Sequence, residues 1–234
     1  MQKILVVALL LGTFVGYSHG QNPAPSPSPG VPAPVQSVAP VVSATPTPAP
    51  VLETKLVVSI PEQKLAVLVN NKVFKTYRIS TSRYGEGDAL GSWCTPIGKL
   101  AVATKIGASV PMGGVFRARH YTGEILSANA PGRDPIVSRI IWLRGLDGTS
   151  KNAFHRCIYI HGTPQEEALG KKASYGCIRM RSNDVAEIFN WVTVGTDVAI
   201  AAKPINRVVK DLVDEHILVA TNAARTEEKS EMLR

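Results

Sequence analysis

Cysteine is scarce in this chain, with three in 234 residues at positions 94, 157 and 177. No compact ligand pair such as C-x-x-C or H-E-x-x-H is present, which counts against a zinc site even though zinc favours Cys and His. A clustered basic run with interleaved aromatics is also missing. Nucleic acid, the usual partner of a chain with net charge +8 and pI near 9.5, is therefore not expected. No apolar run reaches the ~20 residues that a membrane-spanning helix requires. Charge is absent altogether from residues 22–50. A stretch of Pro, Ala, Ser, Val and Thr without charge cannot bury a core and reads as an extended linker.

What is present starts with an export signature. Met1 to Gly20 carries Lys3, an apolar run from Ile4 to Val15, and small residues Ser18 and Gly20, the layout of a secretory signal peptide cleaved after Gly20. Membrane attachment is expected only if that segment stays uncleaved. With no cysteine at its end, a lipoprotein anchor is not expected. The remaining division is a Pro-rich linker over 21–53, a catalytic domain over 54–203 and a helical tail over 204–234. Hydrophobic residues at 44% are enough for a core, and the length suits one domain plus extensions.

Short apolar runs predict strands over 55–60, 64–69 and 72–80, joined at Asn70-Asn71 as an antiparallel meander. Further strands are expected over 98–106, 136–143, 156–161 and 197–202. The Gly- and Ser-rich segment 81–93 reads as a long loop that could wall a cleft, and 107–135 as an irregular surface insertion or flap. Ser182 suits a helix N-cap for a short helix over 183–191. Ile205, Val208, Val209, Leu212, Val213 and Ile217 have helical spacing, with the last ten or so residues frayed.

The chemistry concentrates between Cys157 and Trp191. His161 ends an apolar run at Gly162, and sixteen residues later Cys177 follows the small-residue turn Ser174-Tyr175-Gly176. A thiol is only slightly ionised at neutral pH, and an imidazole beside it can take its proton to give a strong nucleophile. Glycine lets the backbone turn N–H groups toward a ligand, and backbone N–H groups around Cys177 could meet an oxyanion. Alone, His161 reads as a satisfied strand-end histidine and Cys177 as a small buried hydrophobe. Together, in HGT and SYGC contexts, they form a joint signal. A metal set of His155, Cys157 and His161 on one strand face, completed by Cys177, brackets an ion poorly.

The run HGT, a spacer, then S-Y-G-C-I-R-M resembles the catalytic motif of the L,D-transpeptidases, the YkuD-type enzymes that cross-link or edit bacterial peptidoglycan. Thr95-Pro96-Ile97-Gly98 is similar to that family's T-P-x-G turn, and Asn183-Asp184-Val185 to the opening of its post-cysteine helix. Tyr175 stands where many members have histidine, and Arg179 where others have asparagine. The resemblance covers about residues 54–203.

It implies a mainly β fold of the L,D-transpeptidase sandwich or barrel type, with a short helix after the cysteine and a C-terminal helix. It further implies an exported enzyme of the periplasm or cell wall, without metal or organic cofactor. Cys177 would form a thioester with a peptidoglycan tetrapeptide stem, release D-alanine, and pass the acyl group to an amine of a second stem to make a 3→3 cross-link. Water or a lysine of a wall-anchored protein would be other acceptors. By position, the Gly162 carbonyl is the candidate to orient the His161 ring. Gly176, Ser174 and Tyr175 are candidate oxyanion or site supports.

Arg179 and Tyr159 are candidate substrate-binding residues, although Arg179 could equally pair with a structural carboxylate. The competing readings are an L,D-carboxypeptidase, another exported cysteine peptidase or amidase, and a non-catalytic wall-binding module. A reduced Cys177 leaves Cys94 and Cys157 to form either a disulfide or two buried free thiols.

Overall fold

The computed structural model describes residues 53–232, so the expected signal segment and nearly all of the expected linker lie outside the described residues. The elements in chain order are β1 (Thr54–Ser59), β2 (Lys64–Val69), β3 (Lys72–Arg78), β4 (Gly98–Ile106), β5 (Gly114–Arg117), β6 (His120–Ile125), β7 (Val137–Gly145), β8 (Tyr159–Gly162), β9 (Ile178–Met180), α1 (Ser182–Trp191), β10 (Asp197–Ala201) and α2 (Ile205–Met232). The fold is mainly β, with the short helix after Cys177 and the C-terminal helix that the sequence indicates.

The first three strands form the meander. Asn70 and Asn71 both have positive φ, at 50° and 60°, the pair of left-handed residues that a type I′ hairpin turn requires. Across the sheet the order is β3-β2-β1-β10-β4-β7-β5-β6, with β8 pairing β7 and β9. β1 runs parallel to β10, and β8 parallel to β9. The β3 end of this path then meets the branch that runs through β8 to β9. Ser80, just beyond β3, exchanges both backbone hydrogen bonds with Arg179 of β9, each 2.9 Å long. That bridge closes the sheet into a barrel and removes the unpaired edge that β9 would otherwise present.

Alternation along the strands builds two cores. Leu56 and Val58 of β1, Leu65 and Val67 of β2, and Val198 and Ile200 of β10 point inward, where Val185, Ile188 and Phe189 of α1 meet them. Their neighbours Val57, Ala66 and Leu68 point outward and are covered by Ile205 and Val208 of α2. β1 and β2 are thus buried on both faces, which explains why their sequences are nearly continuous apolar runs. Beyond Leu212 the helix keeps a contact with β4 through the Lys99–Glu215 ion pair at 2.5 Å, while Ile217, Leu218 and Val219 are exposed. Among the described residues no helix is long and apolar enough to cross a membrane.

Four expectations need correction. Residues 107–135 contain a hairpin, β5–β6, whose turn at Ala118-Arg119 again uses two positive-φ residues, so the Gly and Pro content marks its flanks. The strand expected over 156–161 begins only at Tyr159. Residues 151–157 instead form a turn closed by the Ile158 N–H to the Ala153 carbonyl at 3.0 Å, with Cys157 at φ 55°. His155, Cys157 and His161 therefore do not share a strand face. α1 begins at Ser182, with Arg181 in the capping position and no side-chain cap of its own; the Ser182 N–H donates to the Glu166 carboxylate at 3.2 Å. The tail expected to fray is helical through Met232.

Candidate active site

β8 and β9 build the site. Their parallel register sets Ile160 beside Ile178 and His161 beside Arg179. Ile160, Ile178 and Met180 all point into the inner core. By the period of two, Tyr159, His161 and Arg179 face the opposite side, and Cys177, one residue before β9, joins them. Sequence spacing of sixteen residues thus becomes adjacency on one face.

His161 is 5% exposed. Its Nδ1 lies 2.8 Å from the Gly162 carbonyl, which can only accept, so Nδ1 carries the proton and Nε2 presents its lone pair. Burial pulls the imidazole down from 6.5 to about 4, with the Gly162 carbonyl and the Asp134 charge acting in the other direction. Gly162 has to be glycine because a Cβ there would lie 2.6 Å from the Val137 carbonyl of β7.

Cys177 is partly buried. Burial pushes its thiol up to about 11, and the Tyr159 N–H, 3.4 Å from Sγ, works against that rise. The thiol donates to the Cys157 carbonyl at 3.3 Å rather than to His161. The two groups sit on one face, both neutral at pH 7, without a hydrogen bond between them. Such contacts commonly tighten only when substrate is bound.

The turn before Cys177 is pinned on every side. Ser174, 2% exposed, donates through Oγ to the Cys177 carbonyl at 2.6 Å and accepts from the Gly176 N–H at 3.3 Å. Gly176 has φ 120°, open to glycine alone at little cost, and packs against the Cys94 carbonyl. Thr95, from the T-P-I-G turn, donates to the Gly176 carbonyl at 3.0 Å. The Cys177 N–H makes no backbone hydrogen bond among the described residues. Tyr175 is exposed at the rim.

Of the two readings of Arg179, the structure contains the carboxylate pairing. Its guanidinium, 4% exposed as a residue, forms an ion pair with Asp134 and a 3.3 Å bond to Ser80 Oγ, while its Nε–H has no partner among the described residues. Asp134 also accepts from Thr163 of the HGT run. Sequence reasoning missed Asp134, which sits at the end of the 107–135 insertion and ties both halves of the motif together. Its only local signal is an Asp-Pro pair.

Tyr159 is buried with Val110, Phe116 and Ile140, and its hydroxyl accepts from Arg119 at 3.5 Å. The insertion does lie over the Tyr159 and Cys177 face, through Val110 and Phe116. Cys94 and Cys157 are free and only partly buried, so neither the disulfide nor full burial is found. No cluster of three or more His, Cys, Asp or Glu suited to a metal occurs among the described residues.

Comparison with known proteins places the chain by sequence. The family model of the L,D-transpeptidase catalytic domain, YkuD, matches residues 53–200. The chain is 34% identical over 153 residues to "Putative L,D-transpeptidase YqjB" of Bacillus subtilis, covering 65% of this chain and 73% of that one. It is 29% identical over 145 residues to "Putative L,D-transpeptidase YkuD" of the same organism, covering 62% and 64% respectively. Among solved structures, an L,D-transpeptidase from Mycobacterium smegmatis aligns with TM-score 0.42 and 17% identity, over 64% of this chain and 59% of the other. With the family model spanning more than half of its length, this chain belongs to the YkuD-type L,D-transpeptidase catalytic domain family.

Proposed function

We propose that the chain is an exported peptidoglycan L,D-transpeptidase with Cys177 as nucleophile and His161 as general base. Residues 1–20 would direct export, 21–53 would tether the domain, and 54–203 would carry the reaction in the periplasm or cell wall. The observation behind this reading is the tautomer of His161. With Nδ1–H given to the Gly162 carbonyl, Nε2 is the free base on the face that Cys177 shares.

The thiol first leaves the Cys157 carbonyl and gives its proton to Nε2. The sulfur attacks the carbonyl between the third residue and the terminal D-alanine of a tetrapeptide stem, with the Cys177 N–H toward the oxyanion. As the C–N bond breaks, imidazolium returns the proton to the departing D-alanine amine, leaving a thioester. An amine from a second stem then forms the new amide, the C–S bond breaks, and the amine's proton returns through His161 to the thiolate. Neutral thiol and neutral imidazole are the right starting pair, because the thiol then has a proton to give and Nε2 a lone pair to take it. A donor in the oxyanion position contributes about 3 kcal/mol. Tyr159 gives its N–H to the sulfur and thereby holds it at the strand end.

Intact-mass analysis of the full chain with purified disaccharide-tetrapeptide, run beside Cys177→Ala, tests this. Loss of D-alanine with a 3→3 dimer is the expected result, absent in the variant. A tripeptide product alone would assign the carboxypeptidase reaction. Turnover retained by Cys177→Ala would overturn the site.

A further inference from the structure

Next to Cys177 is a surface that the reaction does not use. Tyr84, Trp93 and Tyr175 are 53%, 59% and 55% exposed, yet they stand together: the Tyr175 ring lies 5.9 Å from Tyr84 and 6.0 Å from Trp93 between centroids. Arg83 lies over the Tyr175 ring at 4.6 Å. Three large aromatic rings held in water lose the favourable term that normally collects such side chains in a core.

The surface is also rigid. The Arg83 N–H donates to the Ser174 carbonyl at 3.1 Å, and its guanidinium donates to the Ala173 carbonyl at 2.9 Å. Ser82 Oγ donates to the Trp93 carbonyl at 2.6 Å and accepts from the Tyr84 N–H at 3.0 Å. Trp93 itself has φ 59°, a left-handed conformation rarely adopted by a bulky residue, and the fold keeps it there with its side chain outward. Strain retained in order to display an aromatic ring points to a ligand for that ring.

We propose that this surface binds the glycan strand of peptidoglycan, seating the apolar face of an N-acetylhexosamine ring on Trp93, with the Tyr175 ring, turned 79° from it, as a side wall. The inference rests on the peptidoglycan reading above and adds the sugar as a second recognition element. Pyranose rings present C–H groups on one face and hydroxyls at the rim. Aromatic faces fit the first, and the Tyr hydroxyls, the Trp93 indole N–H and the Arg83 guanidinium fit the second. Placement supports the same occupant. Tyr175 is two residues from Cys177, so a sugar seated here would hang its stem peptide toward the thiol. A basic, hydrogen-bonding rim suits a sugar better than the dry apolar centre of a protein interface.

The test is direct binding of a stem-free glycan, chitotetraose, to the full chain carrying Cys177→Ala, followed by the indole N–H resonances in two-dimensional NMR. The Trp93 signal should shift at millimolar or lower sugar, while those of Trp142 and Trp191 stay in place. Trp93→Ala should weaken binding at least tenfold and Trp93→Phe should largely preserve it, with thermal unfolding of each variant confirming the fold. An unmoved Trp93 signal, or undiminished binding by Trp93→Ala, overturns the proposal. So does occupation of the patch by a synthetic peptide of residues 22–50 in place of the sugar. Because the readout needs no turnover, glycan binding can fail while Cys177 still acylates, or hold when it does not.

Discussion

Removing the carboxylate of Asp134 should unfold this protein more readily than its position in a surface insertion suggests. The Arg179 guanidinium is buried with Asp134 as its only charged partner among the described residues, on a β9 strand that also carries the closing bridge to Ser80. Taking one member from a buried pair costs about 3–5 kcal/mol, because the other charge stays desolvated. Asp134 is 21% exposed, so water can partly replace it, and the expected loss for Asp134→Asn lies at the lower end, about 3 kcal/mol. With a urea slope of roughly 2–3 kcal/mol/M, the midpoint should fall by about 1–1.5 M with the slope unchanged. The pair should also be coupled. In Asp134→Leu with Arg179→Met the buried charge is gone, so the double variant should be more stable than the sum of the two single losses by at least 1 kcal/mol. Additive losses, or a loss below about 0.5 kcal/mol for Asp134→Asn, would refute the claim that this pair holds the motif together.

Three further outcomes are expected. His161 has a folded value near 4 against an ordinary 6.5, so between these pH values the unfolded chain binds a proton that the folded chain refuses. Stability should fall as pH drops through that window, by up to about 3 kcal/mol relative to His161→Gln, and parallel pH curves for the two proteins would contradict it. With the Cys177 thiol near 11, its alkylation by iodoacetamide, followed at the peptide level, should be slow at pH 7 and still rising above pH 9. A plateau by pH 8 would show a pre-formed thiolate. Gly176→Ala places a side chain at φ 120° and within 3.2 Å of the Cys94 carbonyl, so it should cost about 1–2 kcal/mol in urea titration and slow acylation at Cys177. Unchanged stability would mean the turn is free to relax.

Much of this molecule is legible in its sequence where the pattern is local. The strands over 64–69 and 98–106 and the Asn70-Asn71 turn follow from residues that carry their own conformational preference. The histidine and cysteine stand out through their flanking small residues. The failures share a cause. Residues 156–158 look like strand, but Arg156 is drawn aside by the Asp88 carboxylate and the Gly87 and Cys94 carbonyls, contacts made more than sixty positions away. Asp134 is invisible for the same reason, since its importance lies in the buried Arg179 it faces. Ser182 has the right side chain for a cap, yet Glu166 supplies the acceptor from another loop. Local pattern cannot report a partner that arrives through the fold.

The bridge between Ser80 and Arg179 has a consequence for how the site comes into being. It joins residues ninety-nine positions apart, and β1 waits for β10 at the far end of the domain to complete its pairing. The meander β1–β3 can form early from near neighbours, but the seam closes only after nearly the whole domain is available, and long-range pairings of this kind are the slow ones. Cys177 sits beside that seam. An incomplete chain therefore holds Cys177 in a loose turn without His161 set beside it on β8, and the two side chains come to share one face only in the closing step of folding, once the C-terminal third of the domain is available.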